Sequence, residues 1–411
     1  MAPILRKIAY LFIVLCLFSV IVSPAYTDEG DGSFTLTVLK GDSDPLAGVN
    51  CYVFSENGSY LGLHEATDSE GRASFDLSEG TFKFRVDYLG YLFWTDIYNI
   101  PATSSETLTI PHQDVTVTVE GHYNANIEAG ENLNVCLFTP SGSYLGISRT
   151  TDDQGQAVFN LPEKDYKVKA DYLSGQYWSD VFNWSDETIT IHEGMAGVTE
   201  TSMGQPLGGI NVYVFNSSGS YLGLHDVTDD EGKVFFRLPQ GDYNFRGDYM
   251  GNQYWSGIST IIAHVENPVN ISTGGGSFTL TVNKGEQDPL AGVNCYLFNE
   301  SGFYLGKYEV TNDEGEVDFY LADGMYKIRV DYLGYQFWTG VFDVPATSSL
   351  PYTIAHQDVT ITVEGDYNAN IEPKEGLNVY LFTSSGSYLG ISRTTDDQGQ
   401  AVFNLPEKDY K

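Results

Sequence analysis

Side chains able to do chemistry recur in this sequence at fixed places instead of gathering at one. Four Tyr and Trp pairs are spaced alike: Tyr88 with Trp94, Tyr172 with Trp178, Tyr249 with Trp255, and Tyr332 with Trp338. Flat aromatic faces near carboxylates serve sugar-binding surfaces, because the C–H face of a sugar ring stacks on the electron-rich ring face. The plainer reading of the same tryptophans is a sandwich core, where buried Trp is common. A tripeptide Tyr-Leu-Gly begins at Tyr60, Tyr144, Tyr221, Tyr304 and Tyr388. If its Leu points inward and its Gly permits a bulge, its Tyr lies on the opposite face. Regularly spaced tyrosines suit multivalent adhesion through effective concentration; the plainer reading is cover for a sheet edge or an inter-domain joint. The candidate ligand-binding residues are therefore Tyr60, Trp94, Tyr144, Trp178, Tyr221, Trp255, Tyr304, Trp338 and Tyr388.

Acidic turns form a second recurring group. They read Thr67-Asp68-Ser69-Glu70-Gly71, Thr151-Asp152-Asp153-Gln154-Gly155, Thr228-Asp229-Asp230-Glu231-Gly232, Thr311-Asn312-Asp313-Glu314-Gly315 and Thr395-Asp396-Asp397-Gln398-Gly399. Calcium takes six to eight oxygens, and one such loop supplies two or three. Weak calcium binding at Asp68, Glu70, Asp152, Asp153, Asp229, Asp230 and Asp313 is the sharper reading. A type I turn with a left-handed Gly explains the same letters. No cofactor is otherwise expected.

Catalysis finds little support. His64, His112, His122, His192, His225, His264 and His356 are scattered without metal-ligand spacing or a nucleophile signature. Asp87, Asp171, Asp248 and Asp331 are single acids, each two residues after an Arg or Lys, which fits surface ion pairing better than a paired-carboxylate site. The expectation is a protein that is not an enzyme. Asn57, Asn183, Asn216, Asn270 and Asn299 open Asn-x-Ser sequons, which chance accounts for in Ser- and Asn-rich turns.

The elements that must carry these groups show a period of two. In Lys83-Phe84-Arg85-Val86-Asp87-Tyr88 apolar and charged residues alternate, and Ala73, Phe75 and Leu77 alternate with Arg72, Ser74 and Asp76. Connections are short and rich in Gly, Asn, Asp, Ser and Pro, with no sustained helical pattern. The five Tyr-Leu-Gly copies lie about one small sandwich apart, and Ser33-Phe34-Thr35-Leu36 returns as Ser277-Phe278-Thr279-Leu280, 244 residues on. The expected fold is all-β: a tandem array of seven-stranded, antiparallel Greek-key sandwiches, transthyretin-like or immunoglobulin-like. The expected units are repeat 1 at 33–111, repeat 2 at 112–192, repeat 3 at 193–272, a Gly-rich linker at 273–276, repeat 4 at 277–355 and repeat 5 at 356–411, the last cut short. Thr109-Ile110-Pro111-His112 reads as a stiff joint and Thr273-Gly274-Gly275-Gly276 as a flexible one.

Before the repeats, Arg6 and Lys7 precede an apolar stretch from Ala9 to Val22, and Ser23-Pro24-Ala25 offers a cleavage site, so residues 1–25 read as a secretory signal peptide. Cys16 lies inside that stretch and lacks a lipoprotein context. Cys51, Cys136 and Cys295 then fall in three different repeats and are expected as buried free thiols. With 55 acidic against 21 basic residues, a net charge of −34, nucleic acid and anionic lipid are poor partners. No second apolar run follows, so no membrane insertion is expected in the mature segment.

Three segments carry a family resemblance: Asp44-Pro45-Leu46-Ala47-Gly48-Val49-Asn50-Cys51-Tyr52-Val53-Phe54, Thr67-Asp68-Ser69-Glu70-Gly71-Arg72-Ala73-Ser74-Phe75-Asp76-Leu77, and Gly80-Thr81-Phe82-Lys83-Phe84-Arg85-Val86-Asp87-Tyr88. They resemble carboxypeptidase-regulatory-like and Cna-B-like repeats of microbial surface proteins. The resemblance implies a prealbumin-like sandwich and a role as stalk or adhesive array. Such modules often carry a Lys–Asn isopeptide cross-link, for which no recurring Lys is available here: Lys40 and Lys284 have no counterpart in the other copies. The expectation is a secreted, non-catalytic cell-surface stalk or adhesin whose partner is a surface glycan, a protein ligand or neighbouring copies of itself. The alternative is a carbohydrate-binding array attached to an exported enzyme.

Overall fold

A computed structural model of the chain describes residues 32–285 and 288–411. The signal peptide expected at 1–25, with Cys16, lies outside the described residues. Every regular element among those residues is a strand.

Repeat 1 shows how the alternation becomes a fold. Its strands are β1 (Gly32–Lys40), β2 (Asp44–Pro45), β3 (Asn50–Ser55), β4 (Tyr60–Ala66), β5 (Arg72–Leu77), β6 (Gly80–Tyr88), β7 (Tyr91–Ile100) and β8 (Ser105–Ile110). One sheet sets β1 between β5 and β8, with two-residue β2 hooked to the end of β1. The other runs β4-β3-β6-β7. Every second side chain turns inward, so Phe34, Leu36 and Val38 meet Cys51, Val53, Phe84 and Val86 in one closed core. The sandwich thus has seven full-length strands, as the sequence reads.

It is not antiparallel throughout. β8 runs parallel to β1, Thr35–Lys40 lying beside Ser105–Ile110. The other complete repeats do the same, pairing Val117–His122 with Glu187–His192, Met195–Thr201 with Glu266–Ser272, and Thr279–Lys284 with Ser349–Ile354. Seven strands that alternate in direction leave the first and last pointing the same way. The chain therefore enters each sandwich at one end and leaves at the other.

Successive repeats join almost without spacers. Pro111 alone separates β8 from the next strand, and Ala355 alone separates Ser349–Ile354 from His356–Thr362. Between repeats 2 and 3 there is no break: the 16-residue strand Glu187–Ser202 closes one sandwich and opens the next, so a seven-stranded sheet spans both. Within 273–276, Gly275 is held by a neighbouring turn. Gly275 donates its N–H to Asp323 Oδ1 at 2.7 Å, and a Cβ there would lie 2.3 Å from the Leu321 carbonyl oxygen. Close backbone approach at φ +106° accounts for that glycine.

Cys51 and Cys295 are buried free thiols, and burial pushes each up to about 12. They sit where repeat 3 has buried Val212. Cys136 departs from the expectation. It is half-buried on the outer face of its sheet, at the place Tyr52 takes in repeat 1.

Candidate functional site

The outer face of the β4-β3-β6-β7 sheet brings together side chains that are distant in sequence. β3 pairs with β4 and β6, and β6 with β7, so one row reads His64, Tyr52, Arg85, Trp94 across the strands, and a second places Tyr60 beside Phe54 and Lys83. Phe54 bridges the two candidates: its ring centroid lies 5.4 Å from Tyr60 and 4.8 Å from Trp94. The Arg85 guanidinium lies over Tyr52 at 4.6 Å and ion-pairs with Asp87 at 2.7 Å. That pairing runs along one strand, not across neighbours, because residues two apart share a face. His64 stacks on Tyr52 at 5.6 Å. The result is an aromatic cluster whose rings meet tilted or edge-on, edged by a phenol, an imidazole and a neutralised Arg–Asp pair.

The bulge that lets Tyr60 reach this face is the expected one. Pairing of β3 with β4 slips between Tyr52 and Phe54, opposite Gly62 at φ +80°.

The four paired tryptophans lie outside the cores, whereas the fifth, Trp184, packs against the core of repeat 2. Trp94, Trp178, Trp255 and Trp338 are 41–44% exposed. Each sits against a phenylalanine two strands away in its sheet, Phe54, Phe138, Phe215 or Phe298, at 4.7–4.8 Å. Tyr144, Tyr221, Tyr304 and Tyr388 are about half exposed and pack on Phe138, Phe215, Phe298 and Phe382. The faces are not identical. Repeat 3 repeats the full set with His225, Tyr213, Arg246 and Asp248, and repeat 4 substitutes Tyr308 for the histidine. Repeat 2 carries Cys136, Ser148 and Lys169 instead, a plainer face.

The leucine of the tripeptide turns inward, and Leu145, Leu222, Leu305 and Leu389 pack half-buried against the core of their own repeat. Leu145, Leu305 and Leu389 also reach the preceding repeat's hairpin at Gly90, Gly251 and Gly334, where an added Cβ would come within 3.1–3.4 Å of them. Leu61 has no such partner among the described residues and is 43% exposed. One tripeptide thus serves two surfaces: its Tyr the outer face, its Leu the joint.

The acidic turns cap themselves. Asp68 Oδ1 accepts the N–H groups of Glu70 and Arg72 at 2.8 and 2.9 Å, and Asp152, Asp229 and Asp396 accept the same pair. Asn312 does so in repeat 4 without any charge. The N–H of Arg72 foremost holds the Asp68 carboxyl below the usual range. Glu70, Asp153, Asp230 and Asp313 are exposed members of the same turns, and no group of three or more His, Cys, Asp or Glu converges on a metal position among the described residues. The threonine that opens each turn is buried: Thr67 Oγ1 accepts the Val49 N–H at 3.0 Å and donates to the Leu46 carbonyl at 2.5 Å.

A joint cluster escaped sequence reasoning. Arg237 of repeat 3 pairs with Glu193 at 2.5 Å and with Glu128 of repeat 2, and donates to the Gly121 carbonyl at 2.8 Å. Burial pushes Glu193 up, against the pull of Arg237. His192 and His264 meet there at 3.2 Å, and the Asn124 N–H donates to His264 Nδ1. No local motif announces groups that lie 44 to 140 positions apart.

No family model matches the chain, and no curated protein does. Solved structures give distant likenesses. The chain is similar to the TIE protein of Bacillus anthracis, at 15% identity over 75% of this chain and 69% of that one, with a TM-score of 0.22. It is similar to GBS52, the minor pilin of Streptococcus agalactiae, at 16% over 39% and 94%, TM-score 0.26. Two B repeat units of the collagen-binding protein of Staphylococcus aureus match at 16% over 78% and 98%, TM-score 0.17. The last are repeats of the Cna-B kind that the sequence motifs resemble. The fold class itself rests on strand pairing: a tandem β-sandwich repeat protein.

Proposed function

We propose that this chain is a non-catalytic extracellular stalk or adhesin, secreted to a cell surface, whose repeats present the aromatic faces as weak, additive binding sites. The observation that carries the reading is the recurrence of one exposed cluster, a Tyr and a Trp flanking a Phe beside a basic residue and an Asp, on each of the four complete repeats. A cluster of that kind matches the stacking face of a saccharide ring, so a glycan is the first ligand class, with a protein surface or another copy of the chain as the others. The alternative, a carbohydrate-binding array that serves an exported enzyme, uses the same face.

A glycan and matrix-protein binding screen tests it. Trp94→Ala and Trp178→Ala should each weaken binding modestly. Removal of Trp94, Trp178, Trp255 and Trp338 together should abolish it, since avidity multiplies weak sites, while thermal melting stays near the parent because these rings are outside the cores. Undiminished binding by the fourfold variant would remove the faces from the reading.

A further inference from the structure

We infer that the array bears tension along its length, and that each complete repeat carries the load in shear across the parallel pair formed by its first and last strands. This goes beyond ligand binding, and its test needs no ligand, so either can fail alone.

The argument is geometric. A pull on the two ends of repeat 1 draws β1 back through its N-terminus and β8 forward through its C-terminus. Because the two strands are neighbours and parallel, with Thr35–Lys40 beside Ser105–Ile110, those forces slide one along the other. Every hydrogen bond of the ladder is then strained at once. Two neighbours pulled apart at a shared end would instead open one bond at a time. The Thr35 N–H to the Ser104 carbonyl and the Gly41 N–H to the Ile110 carbonyl, at 3.0 and 2.9 Å, mark the two ends of that ladder.

Two prolines fit the same picture. In a parallel ladder alternate N–H groups of a strand face its neighbour. Register and the bonds from Thr35, Met195 and Thr279 place the N–H groups of Glu106, Leu108 and Ile110, and their counterparts, toward the first strand. Pro268 opposite Gly197 and Pro351 opposite Thr281 occupy the intervening positions, where the N–H would face the open edge. They guard the edge against foreign strands and leave the loaded ladder whole.

Between repeats 2 and 3 the load crosses no linker. The strand Glu187–Ser202 is the last of one clamp and the first of the next, paired with His112–Tyr123 on one side of His192 and with Glu266–Ser272 beyond it.

Single-molecule stretching of the full chain, tethered at its two ends, tests the inference. Each complete repeat should open in one step releasing roughly 80 residues, at up to ~3.6 Å apiece. Glu106→Pro, which removes a ladder donor, should move one step of that length to a force below every step of the parent. Thr107→Pro, whose N–H faces the open edge, should leave the force unchanged. Should Glu106→Pro fail to fold, pulling direction gives an independent reading: in a Cys136→Ser background, handles on Ser33→Cys and Asp76→Cys separate β1 from antiparallel β5 at a shared end, and opening should need less force than end-to-end pulling. Equal forces for the two prolines, or in the two directions, would overturn the inference.

Discussion

Glu200 sits where the other repeats place valine. It bonds Gly232 as Val38 bonds Gly71, is fully buried, and neither carboxyl oxygen has a hydrogen-bond partner. Room comes from Gly247, opposite, where a Cβ would lie 2.3 Å from the carboxylate and where repeat 1 has Val86. Burial, then the charge of Asp248, raises Glu200 from 4.5 to about 7. A carboxyl raised in the folded state is stabilising below its unfolded value and loses that contribution as pH climbs through the folded one. Repeat 3 should therefore weaken between pH 4.5 and about 7, by on the order of 3 kcal/mol. Glu200→Gln should flatten this profile and raise the melting temperature at pH 7.5; an unaltered profile in thermal melts would show the group is otherwise compensated. The turn residues yield two more expectations. Thr228→Val should cost about 1–3 kcal/mol, since Ile210 N–H and Leu207 C=O each lose their bond to its hydroxyl. Asp229→Asn should be nearly silent where Asp229→Ala is destabilising, because Asn312 already does the same work uncharged. Melts with calcium or chelator should coincide.

Among the elements, the strand Glu187–Ser202 sets the behaviour of repeats 2 and 3, and Arg237 pins it from the side. Arg237→Ala would leave Glu193 buried without its partner, at a cost of about 3–5 kcal/mol, and calorimetry should show repeats 2 and 3 melting apart where the parent melts them together. At this scale the sequence was legible in part. Alternation in Lys83–Tyr88 and Arg72–Leu77 gave the strands and their inward faces, and the glycine of Tyr-Leu-Gly gave the bulge. The direction of β8 was not legible, because a period of two carries no information about which neighbour a strand takes. The side on which Trp94 lies was hidden for the same reason: it shares a face with Arg85 only through the β6–β7 register. The leucine of Tyr-Leu-Gly does turn inward, but alternation cannot report that it also meets the preceding repeat's hairpin, and composition does not report the close contact at Gly275.

At the scale of the whole molecule, the parallel first and last strands make each sandwich a link with entry and exit at opposite ends. Hydrogen bonds from Tyr91 to the Asp165 carbonyl and from Tyr254 to the Asp323 carbonyl, the latter 2.6 Å, tie each hairpin to the repeat that follows. An excess of acids on every repeat opposes folding back of one module on another. The chain should thus be extended, its aromatic faces spread along its length. Small-angle X-ray scattering measures this most directly. Four complete sandwiches and a partial fifth, each about 30 Å long and in line, span ~150 Å and have a radius of gyration near 40 Å. A value close to the ~21 Å of a compact chain this long would contradict the array of end-to-end links on which both the binding and the load-bearing roles depend.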